Sequence, residues 1–199
     1  MTAIVLAGGK SLRLGRNKAI EQFGDKPLIQ HVIDTVSQID NDIIVVTAYR
    51  DQLPALAPSI KIVSDCCNPG SAALVGLYTG LKEASSFRSL VVACDMPYLN
   101  TDLLRYIISA AEGFDAAIPR IKNFIEPLHA VYSKNCLEPL RAQIESGDLK
   151  IFPLVKKVNV RFIEEDELNR FDPQHLSFLN VNYEHDLKKA RDLMYKVRK

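Results

Sequence analysis

Short, dense apolar runs alternate along the chain with longer segments of helical period, and this alternation restricts the fold more than any other feature. Thr2 to Ala7 is a continuous β-branched run, as expected of a strand buried on both faces. From Pro27, suited to a first helical position, Leu28, Val32, Ile33 and Val36 recur at helical spacing. Ile43 to Ala48, Ile60 to Ser64 and Leu90 to Cys94 read as further strands. Between the last two, Gly70 to Ala84 reads as a helix in which Gly76 and Gly80 allow close packing or backbone approach. Thr101 stands as an N-cap before Leu103, Leu104, Ile107 and Ile108. The β-α-β-α-β-α order predicts an α/β fold with a mostly parallel sheet and helices on both faces. Beyond Asp115 the pattern is less regular. Ala116 to Pro119, Leu128 to Ser133, Val158 to Ile163 and Phe178 to Val181 read as strands, with helices over Leu137 to Ile144 and from Glu184. No repeat, low-complexity linker or composition break divides residues 1–199, so a single domain is expected.

Composition excludes several classes of function. The 199 residues carry 25 Lys+Arg against 24 Asp+Glu, a net charge of +1, whereas a general nucleic-acid binder shows a basic excess. No apolar run approaches the ~20 residues of a membrane helix. The N-terminus has no basic region before its apolar run, so it does not read as a secretion signal. The four cysteines, Cys66, Cys67, Cys94 and Cys136, form neither C-x-x-C pairs nor a disulfide framework, and a reducing cytoplasm is the expected location. His31, His175 and His185 lack zinc-ligand spacing.

In open α/β sheets ligands bind outside the carboxyl ends of the strands. The first such end runs Leu6-Ala7-Gly8-Gly9-Lys10-Ser11-Leu12-Arg13-Leu14-Gly15-Arg16-Asn17-Lys18. Paired glycines let the backbone turn and approach a phosphate, Arg13 can fork onto phosphate oxygens, and Lys18 supplies a mobile point charge. A Walker A loop does not fit, because its first glycine would fall on Ile4, and the dinucleotide spacing G-x-G-x-x-G is absent. The run LAGG-x-S-x-R-x-G-x-x-K resembles the signature loop of the MobA-like nucleotidyltransferases, the molybdenum cofactor guanylyltransferases. In that family the loop wraps the triphosphate of the incoming nucleotide. Asn17 stands where Asp often precedes the lysine.

Asp95, in Cys94-Asp95-Met96-Pro97, closes another apolar strand with a carboxylate able to hold Mg²⁺. It resembles the family's C-D-x-P segment, whose aspartate holds the catalytic magnesium. Asp65 ends the Ile62-Val63-Ser64 strand where the resemblance implies a nucleotide-contacting aspartate. The stretch after it keeps the family's G-P-L-A-G pattern only loosely. Near Thr47 and Tyr49 many family members carry Asn that reads guanine, and neither Asn is present. Glu126-Pro127-Leu128-His129-Ala130-Val131-Tyr132 resembles the family's P-L-x-A-x-Y strand. His129 either contacts an acceptor phosphate or is a packed, hydrogen-bonded strand histidine, the blander account being favoured. Asn180-Val181-Asn182 with Asp186-Leu187 matches the family's N-V-N-x-x-x-D-L ending. On a strand both Asn side chains share one face and reach the metal and acceptor region. The alternative for Asn182 is a helix-capping turn before Glu184. Lys150, Lys156 and Lys157 add positive charge toward an anionic acceptor.

The resemblance spans Thr2 to Leu187 and implies a Rossmann-like nucleotidyltransferase fold whose N-terminal half takes the nucleotide and whose C-terminal half takes the acceptor. It further implies Mg²⁺-dependent transfer of GMP from GTP to molybdopterin, with release of pyrophosphate. Leu6, Ala7, Gly8, Gly9, Arg13, Lys18, Asp65 and Asp95 become the expected nucleotide contacts. Arg13, Lys18 and Asp95 are the expected catalytic residues, Asp95 the metal ligand. Asn180 and Asn182 belong to the acceptor or metal region, and cofactor-biosynthesis proteins are possible partners. The competing readings are transfer of CMP or use of another phosphorylated acceptor, and, more distantly, a non-catalytic nucleotide-binding module.

Overall fold

Strand β1 (Thr2–Leu6) is buried along its entire length and lies between two parallel neighbours, β4 (Ile43–Thr47) and β6 (Arg88–Ala93). The computed structural model describes residues 1–8, 17–65 and 72–197. Within them a short hairpin pairs β2 (Gln22–Phe23) with β3 (Lys26–Pro27). The remaining strands are β5 (Lys61–Ser64), β7 (Ala116–Ile121), β8 (Phe124–Ile125), β9 (His129–Ser133) and β10 (Val160–Glu164). The main sheet runs β10-β7-β9-β6-β1-β4-β5, with β8 added on β7. Strand β9 is antiparallel to both β6 and β7, and β8 is antiparallel to β7; the other pairs are parallel. Because β9 reverses direction once on each side, β7 and β10 point the same way as β1, β4, β5 and β6. Their carboxyl ends therefore share one edge.

Alternation along β1 sends Ala3 and Val5 into one apolar cluster and Ile4 and Leu6 into another. Helices α1 (Leu28–Val36) and α3 (Thr101–Ala110) cover the first face; α2 (Ala73–Glu83) and α4 (Leu137–Glu145) cover the second. The expected fold class holds, a mostly parallel sheet between helices. A third, smaller cluster joins Phe23, Leu28 and Val181 to Leu187 and Ala190 of α6 (Glu184–Val197). It carries the end of the chain back beside Lys18. The short helix α5 (Glu165–Leu168) buries Leu168 in the first cluster.

Three local expectations are corrected. Helix α3 is capped by Asn100, not Thr101: Asn100 Oδ1 accepts from the Asp102 and Leu103 amides at 2.9 and 3.0 Å. Helix α2 begins at Ala73, while Gly70 and Ser71 lie outside the described residues. Phe178 to Val181 is not a strand: a 3₁₀ turn covers Leu176–Phe178 and no ladder follows. The reason is that its apolar residues do not alternate toward one sheet face. Phe178 packs into the first cluster and Val181 into the third.

Gly80 explains how closely α2 lies on the sheet. A Cβ there would sit 2.5 Å from Ile4 Cγ2 and 3.3 Å from Val46 Cγ2, so only glycine lets the helix settle over β1 and β4. Gly80→Ala is expected to destabilise the protein by about 1–3 kcal/mol through overpacking. Urea unfolding of the two proteins measures the difference.

Candidate active site

The carboxyl ends of four adjacent strands are tied to one another by hydrogen bonds beyond the ladders. The Cys94 amide donates to Leu6 O at 3.0 Å, joining the end of β6 to β1. The Ala7 amide donates to Val46 O at 2.8 Å, and the Thr47 hydroxyl to Ala7 O at 3.2 Å, joining β1 to β4. The Asp65 amide donates to Thr47 O at 3.1 Å, joining β4 to β5. Gly8, Asp65 and Asp95 are thereby held at neighbouring points of one edge. A Cβ on Gly8 would meet Ala48 N at 3.5 Å and Asp65 Oδ2 at 3.8 Å, which are ordinary contacts. A Cβ there would occupy the space beside Asp65 Oδ2 without a clash.

Above that edge lies a cleft of about 290 Å³ lined by Leu6, Ala7, Gly8, Lys18, Asp65 and Asp95, with Asn180 and Asn182 opposite in sequence. Lys18 is the link between them. Its Nζ donates to Asp95 Oδ2 at 3.0 Å and to Asn182 Oδ1 at 2.6 Å. Asn17 sets it up: Asn17 Oδ1 accepts from the Ala19 amide at 3.0 Å and caps the 3₁₀ turn Lys18–Ile20. Asn182 is itself held from both sides. The preceding Val181 amide donates to Asp95 O at 2.9 Å, and Asp186 Oδ2 accepts from the Asn182 and Tyr183 amides at 3.0 and 2.9 Å. The Asn182 side chain thus points to Lys18 rather than capping α6. Asn180 lines the same cleft, although its Nδ2 donates locally to Phe178 O at 3.2 Å.

Other groups in or behind the cleft carry no motif. Ala72 and Ala73 bring the N-terminus of α2 to the cleft with no side chain capping it among the described residues, so its amide dipoles favour an anion there. Thr79 donates to Asp65 Oδ1 at 3.4 Å. Thr47, fully buried, also accepts from the Tyr49 amide at 3.0 Å; with Ala7 O as its acceptor, the hydroxyl is committed to the fold. Of the residues expected from sequence, Leu6, Ala7, Gly8, Lys18, Asp65, Asp95, Asn180 and Asn182 meet in this one cleft. Gly9 and Arg13 lie outside the described residues.

The family model of the MobA-like NTP transferase domain matches residues 3–160. The chain belongs to that family. It is 32% identical to a probable molybdenum cofactor guanylyltransferase of Pelotomaculum thermopropionicum, over 96% of this chain and 91% of the relative. It is 34% identical to the molybdenum cofactor guanylyltransferase of Desulfosudis oleivorans, over 96% and 94%. Among solved structures, molybdopterin-guanine dinucleotide biosynthesis protein A of Archaeoglobus fulgidus superposes with a TM-score of 0.83, at 26% identity, covering 98% of this chain and 100% of that one.

A MobA-like chain is a nucleotidyltransferase, an enzyme class that generally uses a divalent metal, and the donors present fit one. Asp95 Oδ2 is held by Lys18, while its Oδ1 is buried without a hydrogen-bond partner among the described residues. A carboxylate oxygen in that state is costly unless a cation or donor meets it. No group of three or more His, Cys, Asp and Glu side chains gathers as a metal site among the described residues. A cation at Asp95 would therefore complete its shell with phosphate oxygens and water, as Mg²⁺ commonly does. No helix among the described residues is long and apolar enough to cross a membrane.

His129 belongs to the core of this nucleotidyltransferase, not to its cleft. It is fully buried, its ring centroid 4.6 Å from that of Phe178. The expected packing is present; neither ring nitrogen makes a well-aligned hydrogen bond among the described residues, although the Ser177 backbone is close enough to favour the protonated ring. Cys94 and Cys136 are buried free thiols whose pKa values burial raises, Cys136 to about 12; both are inert fillers at neutral pH. Burial lowers the His129 pKa from 6.5 to about 4, outweighing the opposing pulls of the Ser177 backbone and of Asp172. The native state thus keeps the imidazole neutral while the unfolded chain takes up its proton as pH falls below 6.5. Stability contributed by the neutral form is present above that pH and drains away down to about 4. His129→Leu is expected to flatten this window, with wild type losing about 3 kcal/mol more than the variant. Denaturant unfolding at intervals across that range reads the difference.

Proposed function

We propose that the protein is a molybdenum cofactor guanylyltransferase, transferring GMP from GTP to the terminal phosphate of molybdopterin in a Mg²⁺-dependent reaction. One observation carries the chemistry: Lys18 Nζ, bonded to Asp95 Oδ2 at 3.0 Å and Asn182 Oδ1 at 2.6 Å, inside a cleft that also takes the α2 N-terminus. The names of the curated relatives support the choice of substrates.

The acceptor's terminal phosphate oxygen is already an anion near neutral pH, so the reaction needs no general base. That oxygen forms a bond to the α-phosphorus of GTP, and the bond from the α-phosphorus to the bridging oxygen breaks in line with it. The electron pair leaves on pyrophosphate. The obstacle is repulsion between two polyanions, and catalysis is a matter of neutralising charge and aligning the partners. Lys18 serves this by placing its ammonium on the α-phosphate and leaving group as charge shifts between them. Asp95 would hold the metal, which when bound supplies Lewis-acid polarisation of phosphate oxygens. Gly8 leaves space for a phosphate, with Leu6, Ala7, Gly9 and Arg13 completing the nucleotide loop and Asp65 contacting the nucleotide. Asn180 and Asn182 serve the acceptor side, so the N-terminal half takes the nucleotide and the C-terminal half the acceptor. The reaction belongs in the cytoplasm, where cofactor-biosynthesis proteins are candidate partners.

A cytidylyl reading has one observation on its side. No Asn follows β4 where many family members read guanine, and the Thr47 hydroxyl is committed to Ala7 O and the Tyr49 amide.

Lys18→Ala and Asp95→Ala are each expected to lower kcat by ~10²-fold or more while the protein remains folded, the scale of losing a transition-state charge stabiliser. Pyrophosphate release with molybdopterin as acceptor measures it, and near-wild-type turnover removes the residue from its role. With Mg²⁺ present, GTP at 100 times its Kd should stabilise the protein by about 2.7 kcal/mol. Thermal unfolding with GTP, CTP, ATP and UTP ranks the nucleotides: preference for CTP replaces guanylyl by cytidylyl transfer, and no shift with any of them overturns the transferase reading.

A further inference from the structure

Farther along the carboxyl edge, a second cavity of about 560 Å³ opens beside β7, β10 and the 3₁₀ turn Phe152–Lys156. Arg120, Ile125, Phe152, Lys156, Phe162 and Glu164 are among its walls. Glu164 grips Arg120 at two points, with Nε donating to Oε2 at 3.1 Å and a terminal guanidinium nitrogen donating to Oε1. The guanidinium carbon lies 4.6 Å from the Phe162 ring centroid. Arg120 is thus held flat between a carboxylate and an aromatic ring. Phe152 is 58% exposed, with Lys156 Nζ 5.7 Å from its centroid. A fixed planar cation and an open aromatic face in one cavity suit a flat, electron-rich heterocycle.

Its position relative to the catalytic cleft follows from the sheet. Only β9 separates β7 from β6, whose end Asp95 follows, and β10 is the next strand out. At about 4.8 Å per strand, Arg120 stands about 10 Å from that end and Phe162 about 14 Å. The two cavities also share a sheet face. Ile118 packs with Leu6 and Val46, and Val160 packs on the same cluster, so alternation carries Arg120, Phe162 and Glu164 to that side. Between them, Leu128 lines the first cleft and Ile125 the second. Glu126 lies between these two residues in sequence, its amide donating to Pro119 O at 2.9 Å. Burial raises its pKa.

We propose that this second cavity is the subsite for the fused pyrimidinone ring system of the acceptor, stacked on Phe152 and the Arg120 guanidinium while the terminal phosphate reaches Asp95. The inference rests on the molybdopterin reading above and assigns its ring end to named residues. Lys122 and Lys156 at the rim favour an acceptor that carries negative charge.

The test titrates the full chain with 6-hydroxymethylpterin, following the probe's own fluorescence, and measures the GTP·Mg²⁺-induced thermal shift in parallel. Saturable pterin binding is expected, weakened about ten-fold or more by Phe152→Ala and by Arg120→Ala, the scale of a lost stacking partner. The GTP shift should be the same in all three proteins, and Phe152→Tyr should restore pterin binding. Both side chains reach the surface, and the unchanged GTP shift reports that the variants are folded. If GTP binds but pterin does not saturate up to its solubility limit, or binds the variants as tightly as wild type, the subsite is overturned and the transferase reading stands. If wild type binds no nucleotide, it is the transferase reading that fails.

Discussion

One ammonium group holds the cleft together. Lys18 Nζ gathers a carboxylate from the end of β6 and an amide from just before α6, partners 77 and 164 residues away in the chain. The pair with Asp95 is largely shielded, its side chains 18% and 13% exposed. Ion pairs in such places give little net stability, because desolvation cancels most of the attraction. Their arrangement is better understood through what the site must receive. In the proposed reaction a nucleotide would bring phosphate oxygens that compete for Lys18 and, with a divalent cation, for Asp95. The resting contacts occupy both charges with each other until the ligands exchange them.

That arrangement depends on a rigid base. The strand ends are bonded sideways through Cys94, Leu6, Ala7, Val46, Thr47 and Asp65, so the functional groups sit on a surface that cannot shear without breaking several hydrogen bonds. Thr47 illustrates the trade. Its hydroxyl is spent on Ala7 O and on the Tyr49 amide, which stiffens the edge and removes that side chain from any role in reading a base. The close seating of α2 over Gly80 brings the helix N-terminus to the same edge.

Much of this was legible in the sequence for identifiable reasons. Strands β1, β4 and β6 are buried on both faces, which demands the uninterrupted apolar runs that betray them. Lys18 and Asp95 stand out because they follow strand ends, and Asn182 because its N-V-N ending resembles the family's. What stayed hidden depends on distances across the fold. Side-chain alternation carries no strand direction, so the reversed β9 could not be read from Leu128 to Ser133. Asn100 outcompetes Thr101 as a cap by one position, a choice made by local geometry. Phe178 to Val181 has strand-like composition but serves two different clusters, and neither the lining by Ala72 nor the Thr79 bond to Asp65 carries a local signature.

The third apolar cluster has a consequence for how the enzyme comes into being. Asn182 reaches Lys18 because Val181, Leu187 and Ala190 pack against Phe23 and Leu28. On the ribosome, a chain that has emerged only as far as β10 already contains Lys18 and Asp95 but lacks their third partner. Contacts of such wide sequence separation are also the slowest to close. The cleft is therefore complete only once the segment from Val181 to Ala190 has packed, and a chain truncated after β10 carries Lys18 and Asp95 without the clasp that joins them.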